Sequence, residues 1–280
     1  MTTKGVVGYD LTRLIIGSEG TLALITQATL KLTPLPEAKR TLRATYRDIH
    51  SAAAAVAAIM AQPITPCALE FMDAAAIDMV RRFSDLAVPE ATGALLMIEV
   101  DGPADCVDAA AEDVGDAARN DGLLGLSVAA DKAEIAALWR TRKALSPALR
   151  HVAPKKINED VVVPVARIAT FIDGLERLSR DHGITIVNFG HAGNGNIHVN
   201  LLVSPDDRDE MARAAICLSA MFDLVVALGG TLSGEHGVGL EKRDYIDREL
   251  DPVALRLMRD IKRQFDPNGI LNPGKGLPLE

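Results

Sequence analysis

From residue 40 onward, stretches typical of strands alternate with stretches typical of helices, and this alternation is the feature that most restricts the fold. Apolar residues at every second position predict a half-buried strand, whereas three- and four-residue spacing predicts a helix. Predicted strands cover residues 40–46, 67–72, 94–100, 124–129, 161–163, 184–188 and 197–203. Predicted helices cover residues 49–61, 74–83, 104–120, 133–152, 166–182, 205–228 and 251–265. Units of this length predict an α+β fold, a ferredoxin-like antiparallel sheet covered by helices on one face.

A doubly wound parallel sheet is the alternative that the same alternation allows. That class carries a glycine fingerprint after its first strand, and no such fingerprint occurs here. Upstream, residues 9–34 alternate Thr, Leu and Ile, which predicts strands on either side of a tight turn at Gly17-Ser18-Glu19-Gly20. Pro34 and Pro36 then mark a boundary. By itself, the turn is more typical of a hairpin than of a ligand loop.

Composition excludes several classes of function. The chain has 280 residues, of which 48% are hydrophobic and 4% aromatic, as in an ordinary globular protein. Its net charge of −8 is spread along the chain, so no basic stripe predicts binding to nucleic acid. The three cysteines are scattered without a CxxC motif, which predicts reduced thiols and a cytoplasmic location. We expect neither a signal peptide nor a membrane span.

Two glycine-rich turns hold three of the six histidines. The first, residues 188–200, reads NFGHAGNGNIHVN, and the second, residues 229–239, reads GGTLSGEHGVG. The glycines allow a tight turn that brings His191 and His198 together. With Glu235 they supply two nitrogens and a carboxylate, the usual composition of an open metal site. This predicts a divalent metal centre, with Zn²⁺ as the first expectation, although the same ligands suit Mn and Fe.

Residues near these turns are candidates for further roles. Adjacent side chains on an extended segment point opposite ways, so His236 is expected to act as a general base rather than as a ligand. Asn200 follows His198 by two residues on a predicted strand and is a candidate to hydrogen-bond substrate. Arg142 and Ser146 share one helix face, but the plain interpretation of Arg142, and of Lys156, is a solvated surface charge.

Four segments together resemble a known family. GHAGNGNIH at 190–198 and SGEHGVG at 233–239 resemble the flavin-linked 2-hydroxy-acid dehydrogenases, which act on substrates such as D-lactate, D-2-hydroxyglutarate and glycolate. IGSEGTLALIT at 16–26 is similar to the end of that family's flavin-binding domain, and FDPNGILNPGK at 265–275 to its C-terminal segment. The resemblance spans essentially the whole chain, with the motifs in order.

The resemblance implies a role for each matching position. It implies metal ligation by His191, His198 and Glu235, and proton abstraction by His236 while hydride passes to FAD. The residues that it assigns to the substrate are Arg142, Ser146, Lys156 and Asn200. Those that it assigns to the flavin are Gly17, Ser18, Glu19, Gly20 and Asn272. A metal that binds the substrate's carboxylate and hydroxyl oxygens together would agree with this assignment.

The resemblance also implies a domain order. Residues 1–36 match a remnant of the FAD-binding domain, 37–260 a substrate- and metal-binding domain, and 261–280 a segment that returns toward the flavin. Family members are considerably longer, so this chain alone is expected to bind FAD weakly or not at all and not to turn over. The expected partners are a small 2-hydroxy acid, a separate flavin-domain chain or electron acceptor, and a second copy of the chain in a homo-oligomer.

Two alternative functions remain open from the sequence. One is a non-catalytic subunit that completes a flavin enzyme by docking to a separate FAD-domain chain. The other is a metal-dependent hydrolase, which explains the ligands but gives the GSEGT and NPGK segments no role.

Overall fold

The computed structural model describes residues 5–83 and 88–277. The chain divides into two compact units, one formed by residues 34–231 and the other by residues 1–33 together with 232–280. We call them the sheet unit and the loop unit. The domain boundaries expected at residues 36 and 260 stay predictions.

The sheet unit is built on one seven-stranded antiparallel sheet, which confirms the α+β class. Its strands are β1 Ala38–Tyr46, β2 Ala68–Asp73, β3 Ala94–Gly102, β4 Leu123–Val128, β5 Lys155–Val162, β6 Thr185–His191 and β7 Asn196–Val203. They lie in the order β4-β1-β3-β2-β6-β7-β5. Every pairing between these strands is antiparallel, which excludes the doubly wound alternative.

Several helices of the sheet unit begin at an aspartate cap, and α6 ends at a glycine. They are α2 Ile49–Ala61, α3 Ala74–Phe83, α4 Val107–Ala117, α5 Lys132–Val152, α6 Ile168–His182 and α7 Arg208–Ala227. The side chains of Asp48, Asp131 and Asp207 accept hydrogen bonds from the first free backbone N–H groups of α2, α5 and α7. Gly183 ends α6 with a left-handed φ of 62°.

Helices cover both faces of the sheet, so the expectation of one covered face was wrong. Met97 of β3 packs in a buried cluster with Leu145 of α5. The next residue, Ile98, lies opposite Leu42 of β1, and the Leu42 side chain lies 3.4 Å from the position of a Cβ at Gly115 of α4. Successive side chains on a strand face opposite ways, so α5 and α4 lie on opposite faces. The continuous apolar run of β3 is the sequence signal of such two-sided burial.

Strand β5 begins at Lys155, six residues earlier than the predicted strand. Its register places Asn158 opposite Asn200 and Asp160 opposite His198 of β7. Polar residues at these alternate positions hide the apolar alternation by which a strand is recognised.

The loop unit differs from its prediction most. It contains two α-helices among its described residues, α1 Leu11–Ile15 and α8 Pro252–Phe265, and a 3₁₀ helix at Arg243–Arg248. The strands predicted within residues 9–34 do not form. A strand needs a neighbour to complete its hydrogen bonds, and residues 22–33 pair with none in the described structure. The side chains of Leu24, Ile25, Leu30 and Leu32 are exposed.

None of the helices in the described ranges combines the length and the apolar composition that crossing a bilayer requires.

Candidate functional site

The hairpin formed by β6 and β7 carries the two histidines of the first glycine-rich turn. Gly195 closes this turn with a left-handed φ of 78°, and a Cβ there would lie 1.9 Å from the Val163 carbonyl oxygen. A Cβ on Gly190 would lie 2.3 Å from the Asn196 carbonyl oxygen. Both positions therefore require glycine, because any side chain would collide with backbone.

The two imidazoles approach each other through their Nε2 atoms. His191 Nε2 and His198 Nε2 lie 3.4 Å apart, and the rings meet edge to face with centroids 5.2 Å apart. His198 lies opposite Phe189 in the sheet and is buried. The predicted meeting of His191 and His198 is thus present in the sheet unit.

These two nitrogens have the separation that a shared metal ion requires. Two nitrogens each about 2.1 Å from a tetrahedral Zn²⁺ lie roughly 3.4 Å apart, the same as the distance between the Nε2 atoms. The donor set therefore fits a divalent metal. Glu235, the third predicted ligand, belongs to the loop unit, so its part in such a site stays a prediction.

Glu70 of β2 contacts His191 and was missed by the sequence analysis. It lies directly opposite His191 in the sheet, and its Oε1 lies 2.5 Å from His191 Nδ1. Burial alone would raise the pKa of the Glu70 carboxyl, but the hydrogen bond from His191 and the charge of Arg142 outweigh burial and lower it. Because a carboxylate accepts and cannot donate, His191 carries its proton on Nδ1. An acidic residue inside the buried strand ALEFMD is the signal that sequence analysis can use.

Arg142, on α5, contacts the same carboxylate, that of Glu70. Its Nε donates to Glu70 Oε2 at 2.8 Å, and its guanidinium carbon lies 4.7 Å from the centroid of the Phe189 ring. The side chain is only 12% exposed. The plain interpretation of Arg142 as a solvated surface charge is therefore wrong, whereas its binding of a substrate anion stays a prediction.

Ser146, one helical turn after Arg142, contacts the lysine expected near the substrate. Lys156 Nζ donates to Ser146 Oγ at 2.8 Å. Burial, followed by the nearby charge of Arg150, lowers the pKa of the Lys156 ammonium. The helix α5 and the strand β5 thus bring Ser146 and Lys156 into contact, one helical turn from Arg142. That they bind substrate stays a prediction.

Asn200 is fully buried on β7. Its Nδ2 donates to the carbonyl oxygens of Val187 and His198, each at 3.0 Å. Within the described residues its Oδ1 makes no hydrogen bond. A buried acceptor without a donor is uncommon, which makes this oxygen a candidate contact for a bound hydroxyl.

A pocket opens beside Glu70 and His191. It measures about 460 Å³ and is lined on its other sides by the loop before β2 and the turn after β6. Cys67 lies on its wall, and burial is the main cause that raises the pKa of its thiol to about 12. The pocket is large enough for a small organic acid.

Within the loop unit, one carboxylate holds the end of the second glycine-rich turn. Glu19 Oε1 and Oε2 accept hydrogen bonds from the backbone N–H groups of Val238 and Gly239, at 2.7 and 2.8 Å. A Cβ on Gly237, whose φ is 81°, would lie 2.8 Å from Glu19 Oε1. The backbone of Glu19 is itself left-handed, with φ 53°, a conformation that costs energy in a residue other than glycine.

The residues expected to contact a flavin come together around this carboxylate. Asn272 Nδ2 donates to the Glu19 backbone oxygen at 2.5 Å, and a Cβ on Gly20 would lie 3.9 Å from Asn272 Cβ. Gly17 and Ser18 complete the turn. Since the Glu19 carboxylate is engaged by backbone, its role in the described structure is to hold the turn. Contact of these residues with FAD stays a prediction.

Glu235 and His236 lie in a bend rather than on an extended segment. His236 Nε2 is 3.7 Å from Glu235 Oε1, and both side chains are nearly half exposed. The expectation that the two side chains point opposite ways was therefore wrong, because alternation holds only in extended backbone. Their separate roles as ligand and base stay predictions.

Comparison with known proteins gives a match to a protein family. Residues 35–276 match the family described as FAD linked oxidases, C-terminal domain. The glycolate oxidase subunit GlcD of Bacillus subtilis is 38% identical over 97% of this chain. D-lactate dehydrogenase of Anaerostipes hadrus is 35% identical over 98%, and D-2-hydroxyglutarate dehydrogenase of Stutzerimonas stutzeri is 33% identical over 97%. The chain spans 58%, 59% and 60% of these relatives' own lengths.

Solved structures share the fold at lower identity. p-Cresol methylhydroxylase with bound substrate aligns with a TM-score of 0.69 and 15% identity, over 88% of this chain and 54% of that one. Alkyldihydroxyacetonephosphate synthase aligns with a TM-score of 0.66 and 20% identity, over 96% of this chain and 50% of that one. At these identities the likeness concerns the fold alone.

Proposed function

The chain belongs to the family of the FAD-linked oxidases, of which it contains the C-terminal domain, and from that premise we propose that it serves the oxidation of a 2-hydroxy acid to a 2-oxo acid. In this proposal the chain supplies the substrate- and metal-binding part of a flavin-dependent dehydrogenase. The relatives named above act on glycolate, D-lactate or D-2-hydroxyglutarate, which supports this substrate class.

One observation carries the proposal: a largely buried guanidinium and one of two facing imidazoles contact the same carboxylate. Glu70 engages Arg142 through Oε2 and His191 through Oε1, and His191 faces His198. A 2-hydroxy acid has an anionic carboxylate beside a hydroxyl-bearing carbon. An arginine for the carboxylate and a metal for the hydroxyl match this pair of groups.

The chain's own residues would divide the work as follows. Arg142 binds the substrate carboxylate, with Lys156 and Ser146, which contact each other, as additional donors. His191 and His198 hold a divalent metal, for which Zn²⁺ is the first expectation. Glu235 is the proposed third ligand. That metal would supply Lewis acidity that lowers the pKa of the substrate hydroxyl. His236 accepts the hydroxyl proton, and Asn200 is a hydrogen-bonding contact for the substrate.

FAD, when bound, supplies the hydride acceptor, which no amino-acid side chain provides. The family supports FAD as the cofactor. The turn of Gly17, Ser18, Glu19 and Gly20, together with Asn272, is the part of this chain that we propose to contact it. A cytoplasmic location stays a prediction.

The metal site is tested by titrating the metal-free chain with Zn²⁺ and with Mn²⁺ in a calorimeter. We expect His191→Ala and His198→Ala each to weaken binding by at least about tenfold, since each removes one nitrogen ligand. His50→Ala is the matched control, because His50 is exposed on α2 and pairs with Asp173. Metal binding that is equal in all four proteins would refute the site.

The activity is tested by dye reduction with glycolate, D-lactate and D-2-hydroxyglutarate. The chain is assayed with FAD and a separately produced flavin-binding domain. We expect turnover of at least one of the three acids and none of 3-hydroxybutyrate, whose hydroxyl cannot bind a metal next to the carboxylate in the same way. A flavin-loaded complex that oxidises none of the 2-hydroxy acids would contradict the proposal.

A further inference from the structure

We infer that Glu70 is a positioning residue that fixes the metal-binding atom of His191 and the anion-binding groups of Arg142 at the same time. The inference deepens the proposed function and rests on it for the identity of the two ligands. Glu70 itself touches neither substrate nor metal in this scheme. It acts through the two side chains that do.

The first half of the argument concerns the imidazole. Neutral histidine offers its lone pair on whichever nitrogen lacks the proton. The carboxylate of Glu70 accepts at Nδ1, so the proton stays there and the Nε2 lone pair is presented toward His198 Nε2. A carboxylate behind a metal-binding histidine is the arrangement that fixes ring orientation and raises ligand basicity.

The second half concerns the guanidinium. Arg142 donates to Glu70 through Nε, which leaves its terminal nitrogens to present a planar pair of donors to an anion. The Phe189 ring lies against the guanidinium carbon and restricts its orientation further. Without Glu70 the arginine would lose the acceptor that sets the rotation of its side chain.

The burial of Glu70 argues against a purely structural role. Only 5% of the residue is exposed, and its neighbours Leu69 and Phe71 are apolar and buried. Replacing a buried charge by an apolar residue of similar size, together with its partners, is often neutral or stabilising. A carboxylate at this position is therefore not needed to complete a core, and its two contacts are with residues that the proposed function uses.

The inference is tested with Glu70→Gln and Glu70→Ala in the full chain, by two measurements. The first is ¹⁵N NMR of the metal-free protein, in which the His191 ring signals are assigned by their loss in His191→Gln. The second is calorimetric titration with Zn²⁺. Glu70→Gln preserves volume, so it keeps the test valid if Glu70→Ala does not fold. Glu99→Ala is the matched control, because Glu99 is a buried glutamate of the neighbouring strand β3 that contacts Lys39, Thr41 and Trp139 instead.

We expect wild type and Glu99→Ala to show the proton of His191 on Nδ1. In Glu70→Ala the ring should sample both tautomers, and Zn²⁺ affinity should fall about 10- to 100-fold. Glu70→Gln should show an intermediate loss, because an amide can face only one of its two partners with its oxygen. A fixed Nδ1 proton and unchanged Zn²⁺ affinity in Glu70→Ala would overturn the inference while the proposed function stands.

Failure of the proposed function has a different outcome. If the wild type binds no metal, but its His191 tautomer still depends on Glu70, the proposed function is refuted and the positioning of His191 by Glu70 is supported.

Discussion

The two units of the chain are stabilised in different ways. The sheet unit has a large buried core, which includes fully buried aromatic residues such as Phe71, Phe171 and Phe222. The loop unit buries few apolar side chains and is connected by polar contacts that reach far along the sequence. Glu19 engages residues 238 and 239, and Lys262 donates to the carbonyl oxygen of Thr21 at 2.7 Å.

This difference explains which parts of the fold could be predicted. In the sheet unit, apolar spacing is the cause of the structure, so the bounds of α2 and α3 agree with the sequence prediction to the residue. In the loop unit, the backbone conformation depends on hydrogen bonds to a side-chain acceptor more than 200 residues away in sequence. Local alternation within residues 9–34 carries no information about such partners, and the predicted strands were therefore wrong.

The largest expected effect concerns core packing. Phe171→Ala in α6 should destabilise the sheet unit by about 3–5 kcal/mol, because it leaves a cavity in a fully buried region. Leu22→Ala in the loop unit should cost roughly 2 kcal/mol or less, since few apolar side chains of that unit are buried. Urea unfolding followed through Trp139, the only tryptophan, reports the sheet unit, and amide hydrogen exchange reports the loop unit. Equal costs would show that the loop unit has a core of its own.

The second effect concerns the carboxylate that holds the loop unit together. Glu19→Ala should destabilise this unit by about 1–3 kcal/mol, because two backbone N–H groups lose their acceptor. Faster hydrogen exchange at Val238 and Gly239 would be the measure. Glu241→Ala, at an exposed glutamate of the same unit, is the control and should leave both amides unchanged. The sheet unit's unfolding should be unaffected by either change.

The third effect is a pH response of opposite sign in the two units. Burial is the main cause that raises the pKa of Asp73, in the sheet unit, to about 7. Between about pH 4 and about pH 7 the unfolded state has lost this proton while the folded state keeps it, so stability falls by up to about 1.4 kcal/mol per pH unit as pH rises. In the loop unit, the hydrogen bond from Lys262 is the main cause that lowers the pKa of Asp266. Its contribution is present above the unfolded pKa and is lost as pH falls.

Two measurements separate these pH responses. Wild type should gain stability relative to Asp73→Asn, which has no titrating group at this position, as pH falls from 7 to about 4, with unfolding followed through Trp139. Exchange at Ile270 and Leu271, whose N–H groups donate to Asp266, should accelerate beyond its intrinsic pH dependence as the solution is acidified. If stability changed with pH in the same direction in both units, the predicted difference between the units would be contradicted.

The candidate site was predictable only in part, for the same physical reason. His191 and His198 share one hairpin, so glycine spacing was enough to bring them together. Glu70 reaches His191 through sheet pairing over 121 residues of sequence, and nothing in its own segment identifies that partner. Lys156 and Ser146 lie close in sequence, but their contact depends on the turn between α5 and β5.

The backbone collision that excludes a side chain at Gly195 bears on how sequences of this kind can change length. The turn of residues 192–195 returns β7 beside β6 with His198 opposite Phe189, and a shift of one residue would send His198 to the other face of the sheet. An insertion or deletion there would separate the two imidazoles even if every residue type were kept. We therefore expect natural variants to keep this turn at constant length.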